Sequence, residues 1–502
     1  MNRRVLAQAV AGILLCALGY FLANRDSPVI HSVISSAGGC NLVTDMYEPT
    51  GGTAVGSVVL FHGLSANKKV MAFNAQEFAN QDLRVFIPDF PGHGKSPAPF
   101  SPAHAEACAT AFVRDLAARR AIIPERTLLA GHSMGAAIAV RVAAQIPVAG
   151  TIAISPAPMQ ANAGIQSDIL LFTEHPKLAS HSLVLSAAWE PTRVKQIASS
   201  LVSESADSTN KYEVIPRTSH VSILFSPATS LAIRSWTSQI LGSNPIAPLP
   251  ASVPSFGCFL GIIGLALLTP PFLREMTLTK PADCSPDPYP TPPFLKSIMA
   301  ITIFSILAVA LFKWFVPFRF LHVFQGDYLA SFLFLVGAAV LFFNRNLLLP
   351  LKSFFSSLRL GPVAAALILI LLFGAWFELT FYEAWLNPAR WLRFLPLFLA
   401  VLPWFLAEEL LLGPFKPQGR VGRYVRFILF RMILWLILLA GIFVLHSGQF
   451  AFFLLVLYFV MFSILQRLAT DVIRSRTRSP VSAAIFGAIL LAGFALAIFP
   501  IA

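Results

Sequence analysis

Charge is scarce in this chain. Asp, Glu, Lys and Arg make up only 12% of its 502 residues, against roughly a quarter in soluble domains. With 56% hydrophobic residues and a mean hydropathy of +0.70, that shortage excludes a wholly soluble protein and implies many membrane spans. Acidic residues are the scarcer kind, 24 against 37 basic, for a net charge of +13. The basic excess lies mostly in short loops between apolar segments. That distribution argues against a nucleic-acid-binding face and fits Lys and Arg holding loops in the cytoplasm. The five cysteines are scattered. Cys16 follows Ile13-Leu14-Leu15 rather than small residues, which argues against a lipoprotein anchor. Cys258 falls in an apolar segment and Cys284 in a Pro-rich loop. Cys40 and Cys108 share the one globular stretch and would pair in an oxidising compartment. The sequence leaves pairing and two free thiols both open.

A small-x-small cleavage site is also missing after the first apolar stretch, Val5 to Ala23. That stretch is long enough to span a bilayer, so residues 1–29 read as a retained signal anchor rather than a cleaved signal peptide. Arg3 and Arg4 then hold the N-terminus inside, and the chain beyond the anchor emerges outside. Residues 30–245 carry charges, turns and short strands. From 255 to 502 the chain is a series of long apolar segments, about eight by length: 255–273, 296–316, 327–347, 360–381, 391–412, 424–446, 449–467 and 480–500. Charge in the connecting loops supports this division. Loops expected inside hold Arg274, Lys280 and Lys296; Arg345, Lys352 and Arg359; Lys416, Arg420 and Arg423; and four arginines from Arg467 to Arg478. Those expected outside hold only Lys313, Arg319, Arg390 and Arg393. The Pro-rich piece Lys280 to Pro293 reads as a cytoplasmic linker.

The globular stretch alternates short apolar strands with helices: strands at 42–47, 57–61, 83–88, 127–130, 150–155, 182–187 and 211–215, and helices near 70–80, 103–120 and 226–241. That alternation predicts an α/β fold with a mostly parallel sheet. Its chemical centre is Gly131-His132-Ser133-Met134-Gly135, which stands between a buried strand and a helix of small residues. Strand, sharp turn and helix make this Gly-x-Ser-x-Gly a candidate nucleophile elbow. A serine needs a base, an acid that orients the base, and N–H donors for the oxyanion. His220, on the loop after the strand 211–215, is the candidate base. Glu190, directly after the strand 182–187, is the candidate acid, with Glu174 and Asp207 as competitors. The N–H groups of Met134 and of Leu64, in His62-Gly63-Leu64 after the strand 57–61, are the candidate oxyanion donors. No cofactor or metal is required.

The runs Leu60-Phe61-His62-Gly63-Leu64, Pro88-Asp89-Phe90-Pro91-Gly92-His93-Gly94-Lys95-Ser96, Gly131-His132-Ser133-Met134-Gly135 and Ser219-His220 together resemble the α/β-hydrolase superfamily. They are closest to its serine aminopeptidase-like and monoacylglycerol-lipase-like branch. The resemblance covers about residues 40–242. It implies Ser133 as nucleophile, His220 as base and Leu64 with Met134 as oxyanion donors, and it makes Pro91 to Ser96 a structural loop near the site. Glu190 stands where most members have Asp. Members usually carry a cap domain where this chain has only about 25 residues before Ser182, so Met159 to Ser180 is too short for a full lid. The expectation is a membrane-anchored serine esterase or lipase acting on a lipid or amphipathic ester at the outer face of a cytoplasmic membrane. The alternative is a transporter or scaffold with a non-catalytic binding domain. Among the spans, Glu408-Glu409 resembles the paired glutamates of intramembrane CAAX-protease-like proteins, with Gly413 in place of that motif's Arg and His446 as the one suggestive histidine. A structural or interfacial role is the expectation for the pair. Glu378 and Glu383, near the outer end of another span, are placed to face the globular domain.

Overall fold

The computed structural model describes all residues except 1–2, 26–29, 159–176, 206, 244–246, 251–252, 278–290, 348–356, 416–418, 446–448 and 450. Glu174, Cys284, His446 and most of the expected short lid and Pro-rich linker lie outside the described residues. The chain divides into two compact units. The globular unit comprises Leu22–Phe256 with two later segments, Glu378–Ala384 and Pro500–Ala502. The helical unit comprises Met1–Phe21, Gly257–Phe377 and Trp385–Phe499.

The globular unit is built on one eight-stranded sheet. Its strands are β1 (Ile30–Ser35), β2 (Leu42–Tyr47), β3 (Gly56–Phe61), β4 (Leu83–Pro88), β5 (Thr127–His132), β6 (Gly150–Ile154), β7 (Ser182–Ala187) and β8 (Lys211–Ile215). Their order across the sheet is β1-β2-β4-β3-β5-β6-β7-β8. β1 and β2 run antiparallel to their neighbours, and all pairings from β4 to β8 are parallel. Parallel strands need crossover helices, which cover both faces of the sheet. Hence β5, β6 and β7 are buried along their whole length and are largely apolar, without the alternation of a half-exposed strand. Helices α2 (Ala72–Ala79), α3 (Pro102–Ala118), α4 (Met134–Ala143), α5 (Thr192–Ser203) and α6 (Pro227–Leu241) fill the connections. Leu60, Leu128, Ile152 and Leu185 on the sheet pack with Phe78 of α2 and Trp236 of α6. A disulfide joins Cys40, just before β2, to Cys108 on α3, which closes the question of pairing that the sequence left open. Strand β1 was not expected. Only its last residue is buried, so it lacks the apolar alternation that marks a half-buried strand.

Among the described residues, nine helices are long and apolar enough to cross a membrane. They are α1 (Arg3–Ala23), α7 (Val253–Met276), α8 (Phe294–Leu311), α9 (Gly326–Phe343), α10 (Leu360–Thr380), α11 (Pro388–Leu412), α12 (Arg420–Leu445), α13 (Ala451–Thr477) and α14 (Pro480–Ile498). α1 packs on α7 with Gly19 against Gly257 and Gly261, where a β-carbon on Gly19 would lie 2.7 Å from backbone. Small residues at such crossings let helices approach closely in lipid. α13 runs ten residues beyond the span expected to end at 467. Its extension carries Asp471 and Arg474, which are fully buried together with Glu408 and Glu409. Glu408 is gripped by Arg431 at 2.5 and 2.8 Å. Glu409 accepts from Arg423 at 2.9 Å and Arg467 at 2.5 Å, and Asp471 accepts from the same two arginines. The glutamate pair is therefore a structural ion-pair centre, not a headgroup contact. Charges that look like a solvated loop in the sequence keep the helix going because they are neutralised across it.

Candidate active site

Four strands, β3, β5, β7 and β8, are mutually parallel or linked through parallel neighbours, so their carboxyl ends lie along one edge of the sheet. In open α/β sheets that edge is where ligands bind. Every expected site residue follows one of these strands: Leu64 after β3, Ser133 and Met134 after β5, Glu190 after β7 and His220 after β8.

Ser133 sits at φ 54°, ψ −117° between β5 and α4, a conformation costly for a non-glycine residue and typical of strained functional turns. The turn closes only because its flanks are bare. A β-carbon on Gly131 would collide with the backbone of Gly135, and one on Gly135 with the carbonyls of Phe61 and His62. The elbow is pinned by Ser133 N–H to Ile154 O (3.0 Å) and Ala157 N–H to Ser133 O (3.0 Å). Met134 opens α4, so its N–H has no intrahelical acceptor. Gly63 approaches so closely that a β-carbon there would lie 3.3 Å from Ser133 Cβ. Leu64 comes next, and among the described residues its N–H makes no backbone hydrogen bond.

Glu190 and His220 meet. His220 Nδ1–H donates to Glu190 Oε1 at 2.6 Å, while Glu190 Oε2 accepts from Ala187 N–H at 2.9 Å. Both carboxylate oxygens are thus committed, and the ring is held with Nε2 as the acceptor. Nε2 is buried with no hydrogen-bond partner among the described residues. His132 holds this loop against the elbow: its Nε2–H donates to His220 O at 2.7 Å, and the two rings lie 4.9 Å apart. Burial keeps His132 neutral, with its pKa pushed down to about 3. Asp207 lies before β8 and accepts locally from Thr209; it does not reach His220.

Two further histidines staple the loop after β3. His62 Nδ1–H donates to Gly63 O (2.8 Å) and its Nε2 accepts from Phe90 N–H (3.0 Å). His93 Nδ1–H donates to Pro91 O and its Nε2 accepts from Ser65 N–H. With both ring nitrogens used, these are structural groups, and burial pushes His62 down to about 4. The same loop meets residues that sequence reasoning placed no nearer than the domain's surface. Tyr382 O–H donates to Ser65 O at 3.0 Å. Lys68, fully buried, pairs with Asp89 at 2.7 Å and with Glu383. The only cues to this were two glutamates at the expected outer end of a span.

Residues 58–251 match the family model described as alpha/beta hydrolase family. This segment is an α/β-hydrolase domain. Solved structures similar to it include an alpha-beta serine hydrolase homologue from Coxiella burnetii, 18% identical over 42% of this chain and 96% of that one, with a TM-score of 0.34. The thermostable carboxylesterase EstE1 from a metagenomic library is 15% identical over 47% and 96%, with a TM-score of 0.35. A soluble variant of monoglyceride lipase from Saccharomyces cerevisiae is 12% identical over 43% and 97%, with a TM-score of 0.34. No curated protein matches the chain. The hydrolase domain is followed by a helical C-terminal region with the long apolar helices α7 to α14.

Proposed function

We propose that this chain is a membrane-anchored serine hydrolase of the esterase or lipase kind. The observation that carries the reading is the Glu190–His220 hydrogen bond at the same sheet edge as the strained Ser133 turn. His220 Nε2 takes the Ser133 proton as Oγ attacks an ester carbonyl. Glu190 holds the tautomer and offsets the imidazolium charge. The N–H groups of Leu64 and Met134 receive the oxyanion. The proton then passes to the departing alcohol, leaving an acyl-serine that water hydrolyses by the same steps. A lipid or amphipathic ester is the substrate class. Two features favour it: tethering to apolar helices, and the exposed indole of Trp189 beside Glu190.

The hydrolase domain is assigned to the outer face of a cytoplasmic membrane, as in a bacterial inner membrane. The loop charges support this, and so does the Cys40–Cys108 disulfide, a bond that persists in oxidising compartments. Connectivity agrees. With α1 inserted N-terminus in, the segment between α10 and α11 and the one after α14 fall on the domain's side, and both belong to the globular unit. A fluorophosphonate probe tests the enzyme reading against a non-catalytic binding domain coupled to a transporter or scaffold. Labelling of wild type that is lost in Ser133→Ala supports the enzyme. No labelling, or equal labelling of both, favours the scaffold. Hydrolysis confined to soluble short-chain esters, with micellar lipid esters untouched, would remove the lipid substrate class.

A further inference from the structure

The globular unit contains seven residues, Glu378–Ala384, that lie more than 120 positions beyond the end of its main segment. They bind the loop that supplies Leu64. Tyr382 O–H donates to Ser65 O, the carbonyl directly after Leu64. Lys68 ends the same loop and is 2% exposed. Its N–H donates to Asp89 Oδ1 at 2.9 Å, and its ammonium lies between Asp89 Oδ2 and Glu383. Asp89 also accepts from Lys95 N–H at 3.1 Å. A buried lysine is tolerated only when its charge is matched.

Two buried carboxylates against one buried ammonium leave an excess negative charge, which the more exposed Lys95 ammonium offsets only in part and which one proton shared between the carboxylates removes. Glu383 Oε2 is placed for that proton. It is buried with no hydrogen-bond donor among the described residues, and it crowds the same side of Gly94 as Asp89 Oδ2. Burial, then the neighbouring Asp89, pushes the Glu383 pKa up to about 7. The other titratable groups that act on this centre are Lys95, 3.7 Å from Glu383, Glu378, which pairs with Lys95, and Lys69, Asp45 and His62.

We propose that Tyr382 and Glu383 are positioning residues of the Ser133 site, which hold the loop Gly63–Lys68 so that the Leu64 N–H meets the oxyanion. The proposal rests on the serine-hydrolase reading and specifies how that site is kept in register. It also makes the site pH-sensitive. Above neutrality Glu383 ionises, the buried centre carries a net negative charge and the loop loosens. Glutamine at 383 reproduces the singly protonated pair, because its carbonyl accepts from Lys68 and its amide donates to Asp89.

The test uses the full chain in nanodiscs with p-nitrophenyl butyrate, a fluorophosphonate probe, and hydrogen exchange at the amides of residues 63–68. Glu383→Ala is expected to lower kcat at least tenfold with KM within twofold and to speed exchange in the loop. Tyr382→Phe is expected to lower kcat about threefold to tenfold, the effect of one net hydrogen bond. Glu383→Gln is expected to keep wild-type kcat at pH 6, with its ratio to wild type rising at least threefold by pH 8.5. Glu378→Gln, which removes the carboxylate paired with Lys95 and, more distantly, with Lys69 while leaving Glu383 and Tyr382 in place, should stay within twofold. Unchanged kcat in Glu383→Ala, a loss carried wholly by KM, or an equal loss in Glu378→Gln would each overturn the proposal. Wild type that fails to label at Ser133 would instead overturn the hydrolase reading, while the exchange data would still decide whether Glu383 and Tyr382 hold the loop Gly63–Lys68.

Discussion

Replacement of Glu190 by glutamine probes the site at its most constrained point. The wild-type carboxylate accepts twice, from His220 Nδ1–H and from Ala187 N–H. Glutamine can accept only with its oxygen. Glu190 is buried among strand ends and its neighbour Ala187 N–H is fixed by the backbone of β7, so the amide oxygen stays there. The NH2 group then faces His220. That arrangement makes Nδ1 an acceptor and puts the ring proton on Nε2, where it cannot take the serine proton. A wrong tautomer in an intact triad costs on the order of 10³–10⁴ in kcat, or about 4–5.5 kcal/mol of activation free energy. Glu190→Ala should lose a similar factor and also some stability, about 1–3 kcal/mol, because the buried Ala187 N–H loses its acceptor. The assay is the second-order rate of fluorophosphonate labelling beside kcat on p-nitrophenyl butyrate, each at matched melting temperature. A glutamine variant within tenfold of wild type would refute the reasoning and return Glu174 as the candidate acid.

Other consequences can be read off the same contacts. The Cys40–Cys108 bridge closes a loop of 68 residues, so Cys40→Ser should cost about 4 kcal/mol. Thermal melting with and without reductant checks this, and a free thiol titre at both cysteines in the untreated protein would contradict it. Glu383 binds its proton more tightly folded, at about 7, than at the ordinary 4.5. Its contribution is therefore full below about pH 4.5 and is lost as pH rises to about 7, up to roughly 3 kcal/mol. Glu383→Gln should flatten that part of the stability profile, measured by denaturation from pH 4 to 8. Glu409→Gln leaves Arg423 and Arg467 buried with one carboxylate between them and should destabilise the helical unit by about 3–5 kcal/mol. Turnover per folded molecule should stay constant in that variant; a selective loss of turnover would instead link the helices to the chemistry.

The parts of the molecule that the sequence made plain are those written locally. Ser133 is marked by two glycines whose bareness the close backbone of Phe61, His62 and Gly135 demands. His220 and Glu190 follow from chain order, because each sits directly beyond a strand of the same parallel sheet. The long apolar helices follow from segment length and apolarity. The features that stayed hidden depend on partners distant in the chain. The α13 extension looks like a charged loop until Arg423 and Glu409, on other helices, neutralise it. Strand β1 gains its place by pairing with β2, not by burial. Tyr382 and Glu383 reach Ser65 and Lys68 across more than 300 residues, a distance at which neither motif nor periodicity carries a signal. His132 and His93 sat inside the quoted motifs, but their duty as backbone staples appears only in three dimensions.

The proposed chemistry stands or falls with Ser133 as an activated nucleophile. Mass spectrometry of the full chain after treatment with a fluorophosphonate tests it most directly. A single adduct is expected on the peptide holding Ser133, absent in Ser133→Ala and formed about a thousandfold or more slowly in Glu190→Gln. No adduct, or an adduct that persists in Ser133→Ala, would contradict it.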